Sequence, residues 1–342
     1  MKKFLASLFA VLLVVGTISP FAAEASMENY YPADLDDHWA AETMYQLIDA
    51  DIMKGYLKAG VMYAKPKKEI TRAEVTALLV RSLDLKTTKQ GKTFSDVPKG
   101  KWFYEPIMTA SALGIVNGTS ETTFKPDKSI TREELATMIV RAFESVKTID
   151  FTQGTPANFS DKNTFSTWAV PFINKASAVE IVQGSNGKFS PKNTATRAET
   201  STMLLNALLT ESTNLPNDEE LINLVMNNEN ELYKHYQAET FENTYPIIDQ
   251  YTLGFLHAVL TESNDIWIDY RDQGYDIAIE QVEPTATGVV GKNTRMAVVE
   301  VTGLSYDVTI SYDGKIEAQW TDEANYYFLR KVDGEWKIYS QQ

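Results

Sequence analysis

The sequence predicts two domains of different class, an all-α repeat domain followed by an α+β domain. Three observations predict this. One pattern recurs three times between Ala33 and about Thr210, apolar periodicity then changes from helical to strand-like, and charge divides unevenly along the chain. Residues 26–216 hold 22 Lys and Arg against 22 Asp and Glu, whereas residues 217–342 hold 8 against 23. So acidic a second part is a poor partner for nucleic acid or anionic lipid, although simple solubility accounts for it equally well.

The chain begins with Lys2 and Lys3, an apolar run from Phe4 to Ile18, and the small-x-small site Ala23-Glu24-Ala25. This is the pattern of a signal peptide, residues 1–25, with a mature start near Ser26. The run is shorter than the roughly 20 residues of a membrane span, and no later segment is long and apolar enough to be one. With no cysteine, stability rests on apolar burial rather than on disulfides or thiolate zinc.

Within the repeats, Trp39, Trp102 and Trp168 each precede a glycine by sixteen residues: Gly55, Gly118 and Gly184. Pro66, Pro126 and Pro191 each precede an arginine by six: Arg72, Arg132 and Arg197. Each copy reads as helix, loop, helix. Ala40 to Ile52, Pro106 to Ile115 and Pro171 to Ile181 carry apolar residues at helical spacing, and the glycine is expected to end the helix with positive φ. Phe124 and Phe189 anchor the loop in the second and third copies. The second helix opens with Thr71-Arg72-Ala73-Glu74, Thr131-Arg132-Glu133-Glu134 or Thr196-Arg197-Ala198-Glu199, each a capping box.

Capping explains the Thr and the Glu but not the Arg. A cation in the first turn opposes the helix dipole by up to ~1 kcal/mol. Free amides at a helix start attract anions, and a guanidinium there adds a fork that fits a carboxylate or phosphate. The competing reading pairs each Arg with an Asp of its own repeat. The tryptophans read as core residues wedging the first helix, the alternative being a flat face for a sugar ring.

Asp36 to Trp39, Phe94-Ser95-Asp96 to Trp102 and Phe159-Ser160-Asp161 to Trp168, each followed by helix, glycine and Thr-Arg-x-Glu box, resemble three surface-layer homology (SLH) repeats. They span about 33–86, 93–147 and 158–211, within a domain of residues 26–212. The resemblance implies a pseudo-threefold helical domain that grips pyruvylated secondary cell-wall polysaccharide in grooves between repeats. It implies further that Arg72, Arg132 and Arg197 contact the ketal carboxylate while the Trp and Gly positions line the grooves. The second copy has the family's turn at Gly114-Ile115-Val116-Asn117-Gly118, but Asp51 and Glu180 replace Gly114 in the others, and Ala195 stands where Ile70 and Ile130 do. A carboxylate beside an anionic ligand repels it, so unequal sites are expected, with Arg132 the most important and Gly114 and Asn117 bordering the best groove.

Residues 213–217 read as a linker and 218–342 as the second domain. Leu221, Leu224, Val225 and Leu232, then Ile247, Ile248, Tyr251, Phe255 and Val259, fit helices. From Asp265 strands are expected at Ile266 to Tyr270, Ile277 to Val282, Met296 to Val301, Tyr306 to Ile310, Tyr326 to Leu329 and Trp336 to Tyr339, the last pair closed by a hairpin at Val332-Asp333-Gly334-Glu335. This order resembles the NTF2-like, cone-shaped α+β fold, which hosts both pocket enzymes and binding modules. Glu231 and His235 share a helical spacing that two metal ligands can use, but read as solvated surface; His257 reads as a hydrogen-bonded core residue. Asp265, Asp269, Asp272 and Asp276 lack the spacing of a calcium loop. No metal, cofactor or catalytic motif is expected. The reading is a wall-anchored binding protein with an unidentified ligand for its last domain. The alternative is a surface-displayed enzyme whose last domain has a pocket acting on envelope sugars or peptides, for which an apolar pocket holding a paired Asp and His is the discriminating feature.

Overall fold

The computed structural model describes residues 26–342; the expected signal peptide lies outside them. The predicted helix pairs are present. First helices span Ala41–Asp49, Tyr104–Ala112 and Val170–Ala178; second helices span Arg72–Ser82, Arg132–Val146 and Arg197–Thr210. In every capping box the Thr hydroxyl accepts from the N3 amide and the Glu carboxylate accepts from the Thr amide. The long loop of the first copy holds a short hairpin of β1 (Tyr56–Lys58) and β2 (Val61–Tyr63).

One expectation about the first helices is corrected. The chain turns left-handed at Asp51 (φ 55°), Gly114 (φ 73°) and Glu180 (φ 62°), directly after each helix; of the repeated glycines only Gly184 has the expected positive φ (71°), and it too lies beyond the helix end. These helices are only nine residues long, so their C-terminal turn falls four residues before the repeated glycine. Gly118 is needed for space instead: a Cβ there would stand 2.3 Å from the Ser120 carbonyl and 2.6 Å from that of Thr123.

The three copies close into a ring. The Ile70 amide donates to the Ala195 carbonyl (3.0 Å), the Ala195 amide to Ile130 (2.9 Å), and the Ile130 amide to Ile70 (3.1 Å). Ala195 therefore continues the cycle where the other copies place isoleucine, since the bonds are made by backbone. A single apolar core running from Leu35 to Leu208 fills the ring, with Phe124, Phe143 and Phe189 among its largest fully buried side chains.

In the second part, helices Asp218–Gln237, Tyr245–Tyr251 and Gly254–Asp272 precede seven strands, β3 (Asp276–Val282), β4 (Ala286–Lys292), β5 (Met296–Thr302), β6 (Ser305–Tyr312), β7 (Lys315–Glu323), β8 (Tyr326–Val332) and β9 (Glu335–Gln341). They form antiparallel sheets ordered β3-β6-β7 and β4-β5-β8-β9. The β8–β9 hairpin turns through Asp333 (φ 54°) and Gly334 (φ 86°), as expected. The strand expected at Ile266 to Tyr270 is instead the end of the last helix, whose buried face steps by four through Phe255, Val259, Ser263 and Trp267. Strands β4 and β7 are not among the expected strands: β4 lacks an apolar alternation, whereas β7 carries one at Ile316, Ala318 and Trp320 that the expectation leaves out.

The segment 213–217 is tied down at both ends: Thr294 Oγ1 donates to the Thr213 carbonyl (2.6 Å) and Lys292 Nζ to that of Pro216 (2.9 Å). The buried Arg330 guanidinium donates to the Ala50 carbonyl (2.5 Å) and to that of Arg81, and the Asp333 amide donates to Asp84 (2.8 Å). Met296 and Tyr339 join the apolar core of the ring. The acidic part is thus packed against the first copy rather than tethered to it.

Candidate functional site

Each junction between copies is built by one rule. Asp96 accepts the amides of Phe124 (2.8 Å) and Lys125 (2.7 Å); Asp161 accepts those of Phe189 (3.0 Å) and Ser190 (2.7 Å); Asp34 accepts those of Ala64 (2.7 Å) and Lys65 (2.9 Å). The loops so fixed offer their carbonyls to the arginine of the preceding copy. Arg72 Nε donates to Phe124 O (3.0 Å), Arg132 Nε to Phe189 O (2.8 Å) and Arg197 Nε to Ala64 O (2.7 Å). Each guanidinium also lies over a ring, Phe124, Phe189 or Tyr56, at 4.7, 5.2 and 4.8 Å. Tyr56 thus does in the first copy what a loop phenylalanine does in the others. Sequence spacing had assigned the first-copy motif to Asp36; the residue that fixes the loop is Asp34.

The helix-start amides are not free, contrary to the argument that brought anions there. Arg72 N and Ala73 N donate to Lys128 O and Pro126 O (both 3.0 Å), and the same pairs recur from Arg132 and Glu133 to Asn193 and Pro191 and from Arg197 and Ala198 to Lys68 and Pro66. With N3 taken by the Thr cap, the first turn of each helix is spent holding its neighbour. This explains the repeated arginine without a ligand: it extends the same grip. Its acidic partners belong to the next copy, not its own, Glu134 at 3.8 Å from Arg72 and Glu199 at 2.8 Å from Arg132.

The three arginines differ in what remains open. Arg72 is 6% exposed and Arg197 4%. Arg197 uses all three nitrogens, on Ala64 O, Lys54 O (2.8 Å) and Tyr56 Oη (3.4 Å), and Arg72 Nη2 donates to Asn117 O (3.1 Å). Burial pulls the Arg72 guanidinium below its ordinary value, against the opposing pull of Glu134 and Asp96. Arg132 is only partly buried, and among the described residues its Nη2 has no hydrogen-bond partner. The turn of Gly114 to Gly118, expected to border the groove of Arg132, lies beside Arg72, which bonds Asn117 O, while Arg132 sits on the loop of the third copy. Gly55 follows Lys54, whose carbonyl accepts from Arg197, and Gly114 follows the Tyr104–Ala112 helix with open space where its Cβ would be. The Asp51 carboxylate accepts the Tyr30 hydroxyl (2.9 Å).

The tryptophans are not core. Trp39, Trp102 and Trp168 are 68%, 60% and 50% exposed. A neighbour supplies the anchor instead: Phe103 and Ala169 are buried beside Trp102 and Trp168, and Ala40 beside Trp39. Each indole therefore leaves a face to solvent at the start of its first helix.

In the second part, His257 is half-buried and bonds Asp249 (2.9 Å), so it is not the core histidine expected; its helix turns the buried stripe through Leu256 and Val259. His235 bonds Thr240 (2.9 Å) and Glu231 accepts the Tyr251 hydroxyl (3.0 Å), and no cluster of metal-ligating residues occurs among the described residues. The sequence missed a cavity of about 110 Å³ whose lining includes Glu229, Tyr236, Trp267, Tyr306 and Asp322. It contains carboxylates but no histidine. Among the described residues no helix is long and apolar enough to cross a membrane.

Residues 93–136 and 158–201 match the family model of the S-layer homology domain. An exoglucanase, XynX, of Acetivibrio thermocellus is 33% identical over 208 residues, 60% of this chain and 18% of its own length. The surface-layer 125 kDa protein of Lysinibacillus sphaericus is 30% identical over 175 residues, 51% of this chain and 14% of its own, and the S-layer protein sap of Bacillus anthracis 31% over 167 residues, 48% and 19%. The chain spans less than a fifth of the length of these relatives. The match thus falls within the second and third copies, and the first shares their capping box, loop clamp and arginine geometry.

Proposed function

We propose that this protein is held at a Gram-positive-type cell surface by its helical ring, which acts as three S-layer homology repeats and binds an anionic wall polysaccharide. The ligand is pyruvylated secondary cell-wall polysaccharide, and the second part is an NTF2-like module carried there. The observation that supports this best is Arg132: its guanidinium is seated by Phe189 O and Glu199 yet keeps one nitrogen open to a carboxylate. Exposed indoles at Trp39, Trp102 and Trp168 add flat faces on which a sugar ring can stack. Arg72 and Arg197 serve this reading by fixing the walls of their grooves, their charges being engaged on backbone carbonyls.

The test is sedimentation of the full chain with purified wall before and after removal of pyruvate ketals, using wild type and Arg132→Ala. Retention on native wall, loss on stripped wall, and loss in the variant are expected. Equal sedimentation with both walls would sink the proposal. A second reading, a displayed enzyme, is favoured by the cavity with Glu229 and Asp322. Turnover of envelope glycans or peptides that disappears in Glu229→Gln would establish it.

A further inference from the structure

The cavity of the second part is unusual in its charge. Its walls are apolar and aromatic, including Leu232, Val259, Trp267, Ile279 and Val308, and its lining runs from exposed Glu323 and Gln342 inward to Glu229, which is only 7% exposed. Three carboxylates line it, Glu229, Asp322 and Glu323, and no lysine, arginine or histidine does. A buried carboxylate is costly unless paired. Glu229 is held by neutral groups, Asn228 Nδ2 at 3.1 Å and Tyr306 Oη at 2.7 Å, the latter fixed by Gln281 at 3.1 Å, with the buried Tyr327 hydroxyl also interacting with it. A carboxylate offers about four acceptor sites, so these three neighbours leave acceptor capacity for a further donor. Burial and the nearby Asp322 charge leave the Glu229 carboxyl above its ordinary range, and burial does the same to Asp322.

We propose that this cavity binds a small organic cation, the ammonium end of an aliphatic or aromatic amine, between Glu229 and Asp322. The aromatic lining of Trp267, Tyr236 and Tyr306 is consistent with the choice, since aromatic rings attract a cation in a desolvated site. The volume sets the size: a cavity of roughly 150 Å³ takes one benzene ring, so this one holds the end of a ligand and not an oligosaccharide. The proposal rests on reading residues 218–342 as a binding module and does not depend on wall anchoring.

Calorimetric titration of the full chain with benzylammonium, benzyl alcohol and benzoate tests it. Benzylammonium should bind saturably, and both other probes at least about tenfold more weakly, the difference expected of one charge-assisted contact. Glu229→Gln and Asp322→Asn should each abolish the preference for the amine, and Ala324→Leu, which narrows the cavity at a half-buried wall position, should abolish binding altogether. Equal binding of alcohol and amine would overturn the cation assignment while leaving a binding module. No saturable binding of any probe would overturn both the cation and the use of this cavity as a binding site.

Discussion

The junction arginines of the ring and the cavity carboxylates of the acidic part are compensated in opposite ways. At the junctions of the ring Arg72 and Arg197 are buried and Arg132 partly so, and each is met by a backbone carbonyl of a loop that a neighbouring aspartate has fixed in place. In the cavity of the acidic part the buried Glu229 carboxylate faces apolar walls and is held by neutral donors, whereas Arg330 of the same part is met, like the ring arginines, by backbone carbonyls. A fully engaged buried charge rigidifies a structure, whereas an under-compensated one costs stability that a charged ligand would restore. The same contrast separates Arg197 from Arg132 within the ring, the first saturated and the second open.

The largest expected effect tests the locked side. Arg197→Ala removes three hydrogen bonds and leaves the Ala64 and Lys54 carbonyls unpaired, so it should cost about 3–5 kcal/mol, read as a shift in denaturant midpoint. An effect no larger than that of Arg132→Ala would erase the distinction between them.

Next is Asp96→Ala, which frees the Phe124 and Lys125 amides and loosens the carbonyl that Arg72 grips; a loss of about 1–3 kcal/mol is expected in the same measurement.

The pH dependence of the two parts should differ in sign. Burial opposes ionisation of Glu74 and Glu134, yet hydrogen bonds from Tyr56 and from the Thr71 and Thr131 amides hold both below the ordinary 4.5. Their stabilisation is complete above the unfolded value and is lost as pH falls through the lower folded value. Glu229 lies above 4.5 when folded, so its proton is bound more tightly in the folded state. Its stabilisation is complete below 4.5 and fades as pH rises through the folded value. Accordingly Glu229→Gln should raise stability at neutral pH and change little at pH near 4.5, whereas Glu134→Gln should lower it at neutral pH. Thermal melts of the two variants at both pH values check this, and like-signed shifts at neutral pH would break the contrast.

The smallest effect is expected for Trp102→Ala, within about 0.5 kcal/mol because the indole is largely exposed. Its wall retention should nonetheless fall, which a sedimentation assay separates from stability.

The helix pairs, the capping boxes and the closing hairpin of the second part were legible because each is set by residues within a few positions of one another. The cavity was not, since Glu229 and Asp322 lie on a helix and a strand far apart in the chain. Nor was the exposure of the tryptophans: a large apolar residue at a helix start looks the same whether it or its neighbour, Phe103 or Ala169, faces the core.

By itself the amino-acid sequence determined the threefold recurrence, the caps and the division of charge, because periodicity and local hydrogen bonding need no distant partner. Only the tertiary structure decided where the arginines point and that the acidic part docks on the first copy through Arg330. Those outcomes depend on which carbonyls stand within reach once the ring has closed, and chain spacing carries no record of that.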